Sequence, residues 1–231
     1  MLAAAAARAD DQAEARAVVD KAIKATGGEE KLARYKAMTW SETGTYYGMG
    51  EGLPYTASYA VQWPDRFRMD IKDVFLMVRD GDKGWVKMGG ETQELSKEQI
   101  AEQKEEHHGG YLTTLLPLKD KAVTLTPLKE IKVGDRPAVG VKASSKGHRD
   151  VSLYFDKQTG LLVKSEVRVK AEEQGGKEVT QESVYADHKE VDGLKVPMKM
   201  VITRDGKKFV EATHTELKFP DKLDAKLFSK P

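Results

Sequence analysis

The chain contains no cysteine. That excludes disulfides, thiolate nucleophiles, cysteine-based zinc sites and a lipid-modified cysteine. It also lacks a dominant charge: 38 basic side chains stand against 37 acidic ones, a net charge of +1. With no global positive field, nucleic acid is not an expected partner. No stretch approaches the roughly 20 apolar residues of a transmembrane helix, so no transmembrane segment is expected. G-x-S-x-G and H-E-x-x-H are both missing. The glycine pair in Gly27-Gly28-Glu29-Glu30-Lys31-Leu32 has neither the P-loop lysine pattern nor a preceding strand.

What the chain does have is enough length for one core. A chain of 231 residues buries about 70% of its unfolded surface without staples. The opening MLAAAAARA is small and apolar, then breaks into DDQAEA. We expect residues 1–9 to be the remnant of a secretory leader, with an A-x-A-like site at Ala7-Arg8-Ala9. The other reading is the alanine-rich start of a helix. Residues 10–231 are expected to form one domain, exported from the cytoplasm.

Periodicity supplies the elements. Ala15, Val18, Val19, Ala22 and Ile23 predict an amphipathic helix over 11–26, ended by Gly27-Gly28. A further turn is expected from Glu29 to Tyr35, with Leu32 and Tyr35 facing inward. Alternating runs predict strands over 38–47, 55–63, 66–72, 74–79 and 85–88. Ser96 with Gln99 forms a capping box opening a helix over 96–108, which Gly109-Gly110 is expected to stop. Strands return at about 122–133, 136–144, 149–156, 161–171, 177–188, 194–204 and 207–219. In Asp150–Val167, Val151, Leu153 and Phe155 share one face, and the polar break DKQTG ends in Gly160, a hairpin signal. Leu161, Val163 and Val167 are read onto one face beyond it. Pro197 suits an edge strand or a bulge. The expected architecture is mainly β (α+β): one antiparallel meander of about eleven strands. Twist curls it into an open half-barrel, with both helical segments covering the concave face.

Several landmarks carry a family resemblance: Pro64-Asp65-Arg66-Phe67-Arg68, Asp80-Gly81 with Gly84-Trp85, Leu115-Leu116, and Leu153–Asp156 followed by Thr159–Leu162. Their order resembles the LolA/LolB-like superfamily of periplasmic outer-membrane lipoprotein carriers, over about residues 12–228. The resemblance implies a half-rolled antiparallel barrel plugged by helices. It also implies a non-enzymatic carrier whose apolar cavity receives acyl chains, without cofactor or metal. The chain departs from the true carriers in having no clear counterpart of their membrane-inserting loop. Many of its strand positions are also polar.

The expected ligand-lining residues are Trp40, Tyr59, Phe67, Met69, Met77, Trp85, Leu115, Met198, Met200 and Ile202. Methionine suits a surface that accommodates varied apolar ligands. The competing reading is a filled core beneath the helices. A metal site at His107-His108 is disfavoured, because adjacent residues on a helix diverge by about 100°; a solvated helix end accounts for them. Ser183, Asp187, His188 and His214 lack the sequence context of a catalytic triad. Arg66 and Arg68 read as an outer face paired with Asp70, or as a cavity rim meeting a head group. The partners that follow are a hydrophobic or acylated ligand or, alternatively, an envelope protein docking on a free sheet edge.

Overall fold

The computed structural model describes residues 2–34 and 36–231, and the side chains of these except residues 2–9 and 173. Tyr35 and the side chains of Ala7-Arg8-Ala9 therefore lie outside the described residues. The chain opens with helices α1 (Leu2–Thr26) and α2 (Glu29–Arg34). Six strands follow: β1 (Ala37–Tyr46), β2 (Leu53–Gln62), β3 (Arg66–Ile71), β4 (Phe75–Asp80), β5 (Lys83–Met88) and β6 (Glu91–Glu94). Helix α3 (Lys97–Thr113) leads into β7 (Val123–Val133), β8 (Arg136–Ser145), β9 (Val151–Asp156) and β10 (Leu162–Ala171). The last three strands are β11 (Lys177–Val191), β12 (Leu194–Arg204) and β13 (Lys207–Lys218).

All thirteen strands join one antiparallel sheet in the order β6-β5-β4-β3-β2-β1-β13-β12-β11-β10-β9-β8-β7. β6 and β7 are its two edges, so the barrel is open, and α3 is the segment that joins those edges. The expected count was about eleven, and the twelve ranges read from alternation are all strands here. The addition is β6, whose sequence Glu-Thr-Gln-Glu shows no apolar alternation and is a strand only through its pairing with β5.

α1 fills one half of the inner face. Its Ala15, Val19, Ala22 and Ile23 pack against Val123 and Leu125 of β7, Val141 and Ala143 of β8, and Val151, Leu153 and Phe155 of β9. The β9 trio is at most 2% exposed, and each side chain of that size contributes about 1.5–3 kcal/mol by burial. The hairpin after β9 is held by Asp156, whose carboxylate accepts from the Gln158 amide (3.1 Å), the Thr159 amide (2.6 Å) and the Thr159 hydroxyl (2.9 Å). Gly160 follows at φ +77°, a conformation that glycine adopts without steric cost. Past the hairpin the register slips between Leu162 and Lys164. Leu162 therefore packs onto the α1 core with Val167, although plain alternation puts it on the opposite face.

Two local features depart from the expectations. α3 runs through Gly109-Gly110 to Thr113. Gly109 is buried, and a Cβ at Gly110 would lie 3.8 Å from the Trp63 ring, an ordinary contact, so the pair lies inside the helix and does not terminate it. Pro197 sits in β12, an interior strand, opposite His188. The neighbouring Asp187 has φ +54°, a local irregularity of the backbone beside the proline.

The outer face carries a smaller core. The C-terminal turn Ala225–Phe228, capped by Asp224 accepting from the Lys226 amide at 2.9 Å, brings Leu223, Leu227 and Phe228 onto Ala60, Leu76, Val78 and Trp85.

Candidate functional site

Cross-strand partners in a sheet project to the same face, so the register assigns the expected lining residues. Trp40 pairs with Tyr59, Tyr59 with Met69, Met69 with Met77, and Val61 with Phe67. Met200 and Ile202 reach the same face through Ala212 and Val210 of β13, which oppose Gly44 and Tyr46 of β1. Met198 joins them by alternation. Trp40 and Tyr59 stack at 4.5 Å and 6°, and Phe67 follows at 6.5 Å from Tyr59. All eight of these side chains are half-buried, in contrast to the fully buried positions beneath α1.

Two expected members fall elsewhere. Trp85 belongs to the outer core around Phe228. β5 is too short for its alternation to reveal which face is inner, and the C-terminal segment that covers Trp85 gives no local signal. Leu115 is 2% exposed within the α1 core, so it is packed rather than lining.

Sequence reasoning missed a carboxylate on this face. Glu42 has the parity of Trp40, which was the available signal: a charge in register with an apolar row. It is 3% exposed. The Tyr55 hydroxyl donates to it, as do the Tyr59 hydroxyl (3.3 Å) and the Trp40 indole (3.4 Å), and His214 Nε2 stands 3.1 Å away. Gly44 permits this arrangement: a Cβ there would meet the Tyr55 ring at 2.8 Å. Burial pushes the Glu42 carboxyl up, but His214, Tyr55 and Trp40 outweigh it and hold the group below the usual carboxylate range. Burial, and then the Glu42 charge, drive both tyrosines well above their ordinary range. They remain neutral donors.

α3 crosses the inner face as a strap with anchors on both flanks. On one, Glu102 grips Arg149 through two bonds of 2.5 and 2.6 Å and accepts from the Lys170 amide at 2.9 Å. Glu105 holds His148 at 2.8 Å and the Arg149 amide at 2.9 Å. On the other flank, Lys104 pairs with Asp82, Gln103 meets the Met77 sulfur, and the His107 ring lies 4.4 Å from Trp63. Glu106 presents exposed surface, but the protein packed around it desolvates the carboxyl; Glu102 and Glu172 add to that effect, and Arg204 and Arg149 oppose it. That enclosure pushes its carboxyl up to about 7.

The histidines of α3 are not a solvated helix end. His107 packs on Trp63 and Phe67, while His108 stacks on His148 at 3.8 Å. Among the described residues no cluster of three or more histidine, aspartate or glutamate side chains has metal-site geometry. His188 contacts the Leu162 carbonyl (3.0 Å), His214 contacts Glu42 and the Pro197 carbonyl, and Ser183 bonds with Tyr185. These groups form no nucleophile–base pair. Arg66 pairs with Asp80 (2.9 Å) and Arg68 with Asp70 (3.0 Å) on the outer face. No described helix is long and apolar enough to cross a membrane.

No family model matches the chain, and no curated protein matches it. Solved structures do. A LolA superfamily protein from Nitrosomonas europaea superposes with a TM-score of 0.59 at 12% identity, covering 94% of this chain and 97% of the other. A DUF1329 family protein from Desulfovibrio piger gives 0.59 at 13% identity, covering 93% and 97%. A protein described as an outer membrane lipoprotein-sorting domain, from Vibrio parahaemolyticus, gives 0.56 at 15% identity, covering 87% and 94%. Across almost the whole chain, at 12–15% identity, the fold is the one seen in these LolA superfamily, DUF1329 and lipoprotein-sorting structures.

Proposed function

We propose that this protein is an exported, non-enzymatic carrier or binding domain for a hydrophobic or acylated ligand held on the inner face. One observation carries the reading. α1 covers the β7–β9 half of that face with a packed core, whereas Trp40, Tyr59, Phe67, Met69, Met77, Met198, Met200 and Ile202 share the remainder and are only partly buried. An apolar row that its own fold covers only in part is the kind of surface that marks a ligand groove. An acyl chain laid along the row gains about 0.8 kcal/mol per buried CH₂. The methionines adapt to chains of different shape. Fold likeness to a lipoprotein-sorting domain supports the cargo class and the periplasmic location.

The test is titration of the purified protein with a fluorescent polyene fatty acid. Saturable emission that unlabelled fatty acid competes away is the expected result. Absence of saturable binding at any ligand concentration below micelle formation overturns the proposal. Fractionation of cells producing the chain, with recovery in the periplasm, checks the location.

A further inference from the structure

Arg79 is 1% exposed and has no ion-pair partner among the described residues. Its Nη1 donates to the carbonyls of Asp65 (2.9 Å) and Gly81 (3.2 Å), tying two turns together. Its Nε and Nη2 are buried without a partner. Those two nitrogens form one edge of the guanidinium, with parallel N–H bonds spaced for the two oxygens of a carboxylate or phosphate. The turn clamp uses only Nη1, so it leaves that edge unexplained. Native proteins seldom leave buried donors unpaired, and a buried charge without a counter-charge is costly. Burial also lowers the arginine's proton affinity, offset only in part by Asp65, Asp80 and Asp82.

The position is telling. On β4, Arg79 has the parity of Met77 and opposes Phe67, so it projects to the inner face. α3 lies across that region: Gln103 contacts Met77, and His107 packs on Trp63 and beside Phe67. His107 Nε2 and Gln103 Oε1 are likewise buried and unpartnered. Two donors and two acceptors without partners thus gather where β4 meets α3, at one end of the apolar row.

We propose that the Nε/Nη2 edge of Arg79 takes the oxyanion of the ligand's head group, a carboxylate or phosphate, beneath α3. The chain of the ligand then runs over Phe67, Met69 and Tyr59. His107 Nε2 and Gln103 Oε1 accept from any hydroxyl the head group carries. The lipid part of this inference rests on the carrier reading above; the anion site itself does not.

The experiment compares laurate, dodecanol and inorganic phosphate on the wild type, Arg79→Met and Arg79→Lys. Arg79→Met removes a costly buried charge together with the two turn hydrogen bonds, Arg79→Lys keeps the charge without the fork, and circular dichroism selects the folded variant for the comparison. The wild type is expected to prefer laurate over dodecanol by on the order of 10- to 100-fold, as charged hydrogen bonds allow. Arg79→Met should bind both alike, and Arg79→Lys should fall between. Equal affinities in the wild type, or a preference that survives in Arg79→Met, overturn the proposal. If neither twelve-carbon probe binds, the carrier reading fails by itself. Phosphate then decides the site: a rise in Tm for the wild type but not for Arg79→Met supports a free-anion site, and no rise overturns it.

Discussion

Glu102 of α3 and Arg149, in the β8–β9 connection, meet fork to fork, with Oε1–Nη1 at 2.5 Å and Oε2–Nη2 at 2.6 Å. Their side chains are only 11% and 21% exposed, so water screens the pair weakly. Burial alone would raise the Glu102 carboxyl, but Arg149 and the Lys170 amide hold it below the usual range. Glu102→Gln is expected to cost about 1–2 kcal/mol and to speed hydrogen exchange in α3 more than in β9. Urea unfolding with amide exchange checks both. Exchange unchanged in α3 would show that the strap is held elsewhere.

Acid should loosen the same region. Burial holds His107 down to about 3, and burial followed by the nearness of His148 holds His108 below its ordinary value. Burial lowers His188 as well. The unfolded chain takes up these protons near the ordinary histidine value, and the folded chain does not. Stability is therefore full above that value and falls as pH drops below it, by at most about 1.4 kcal/mol per pH unit for each proton. The Glu102 contribution is lost further down, as pH falls through its lowered value. His107→Gln is expected to flatten the upper part of a Tm–pH curve; an unchanged slope refutes the assignment.

Glu106 works in the opposite direction. Its carboxyl is raised to about 7, so the folded chain holds a proton that the unfolded chain releases. Its stabilising contribution is complete below the ordinary carboxylate range and is gone above about 7. Glu106→Gln should then raise Tm at about pH 8 and leave it unchanged at about pH 4. Scanning calorimetry at both values tests the sign.

The two tryptophans Trp40 and Trp85 separate site from scaffold. Phe228→Ala, at a fully buried position, should cost about 3–5 kcal/mol and red-shift Trp85 emission. Trp85→Phe is expected to leave fatty-acid binding intact, whereas Trp40→Ala weakens it at least several-fold. Equal losses from both would return Trp85 to the binding face.

The strand pattern was legible wherever one face is dry. Val151, Leu153 and Phe155 alternate because α1 covers one side of β9, and the DKQTG hairpin advertises its own turn chemistry. The parts that escaped depend on distant partners. β6 is specified by β5, not by its own residues. The side of β5 that receives Trp85 is chosen by a segment more than a hundred residues later, Leu223–Phe228. Gly109-Gly110 has the composition of a stop, yet α3 continues through it to Thr113. In the site, the apolar row was readable from parity. Glu42 and Arg79 were not singled out, although each breaks an apolar pattern in a way that parity exposes.

The sheet never closes upon itself, and the chain that leaves one rim strand for the other does so as α3. A helix of 17 residues is about 25 Å long and scarcely stretches. It acts as a belt of set length around an elastic wall. In the carrier proposed above, the room beneath that belt changes as α3 slides on its side-chain anchors, not as the strands bend. A bulky guest should register first as slack or tension at Glu102–Arg149 and at Lys104–Asp82, well before any β-ladder hydrogen bond parts.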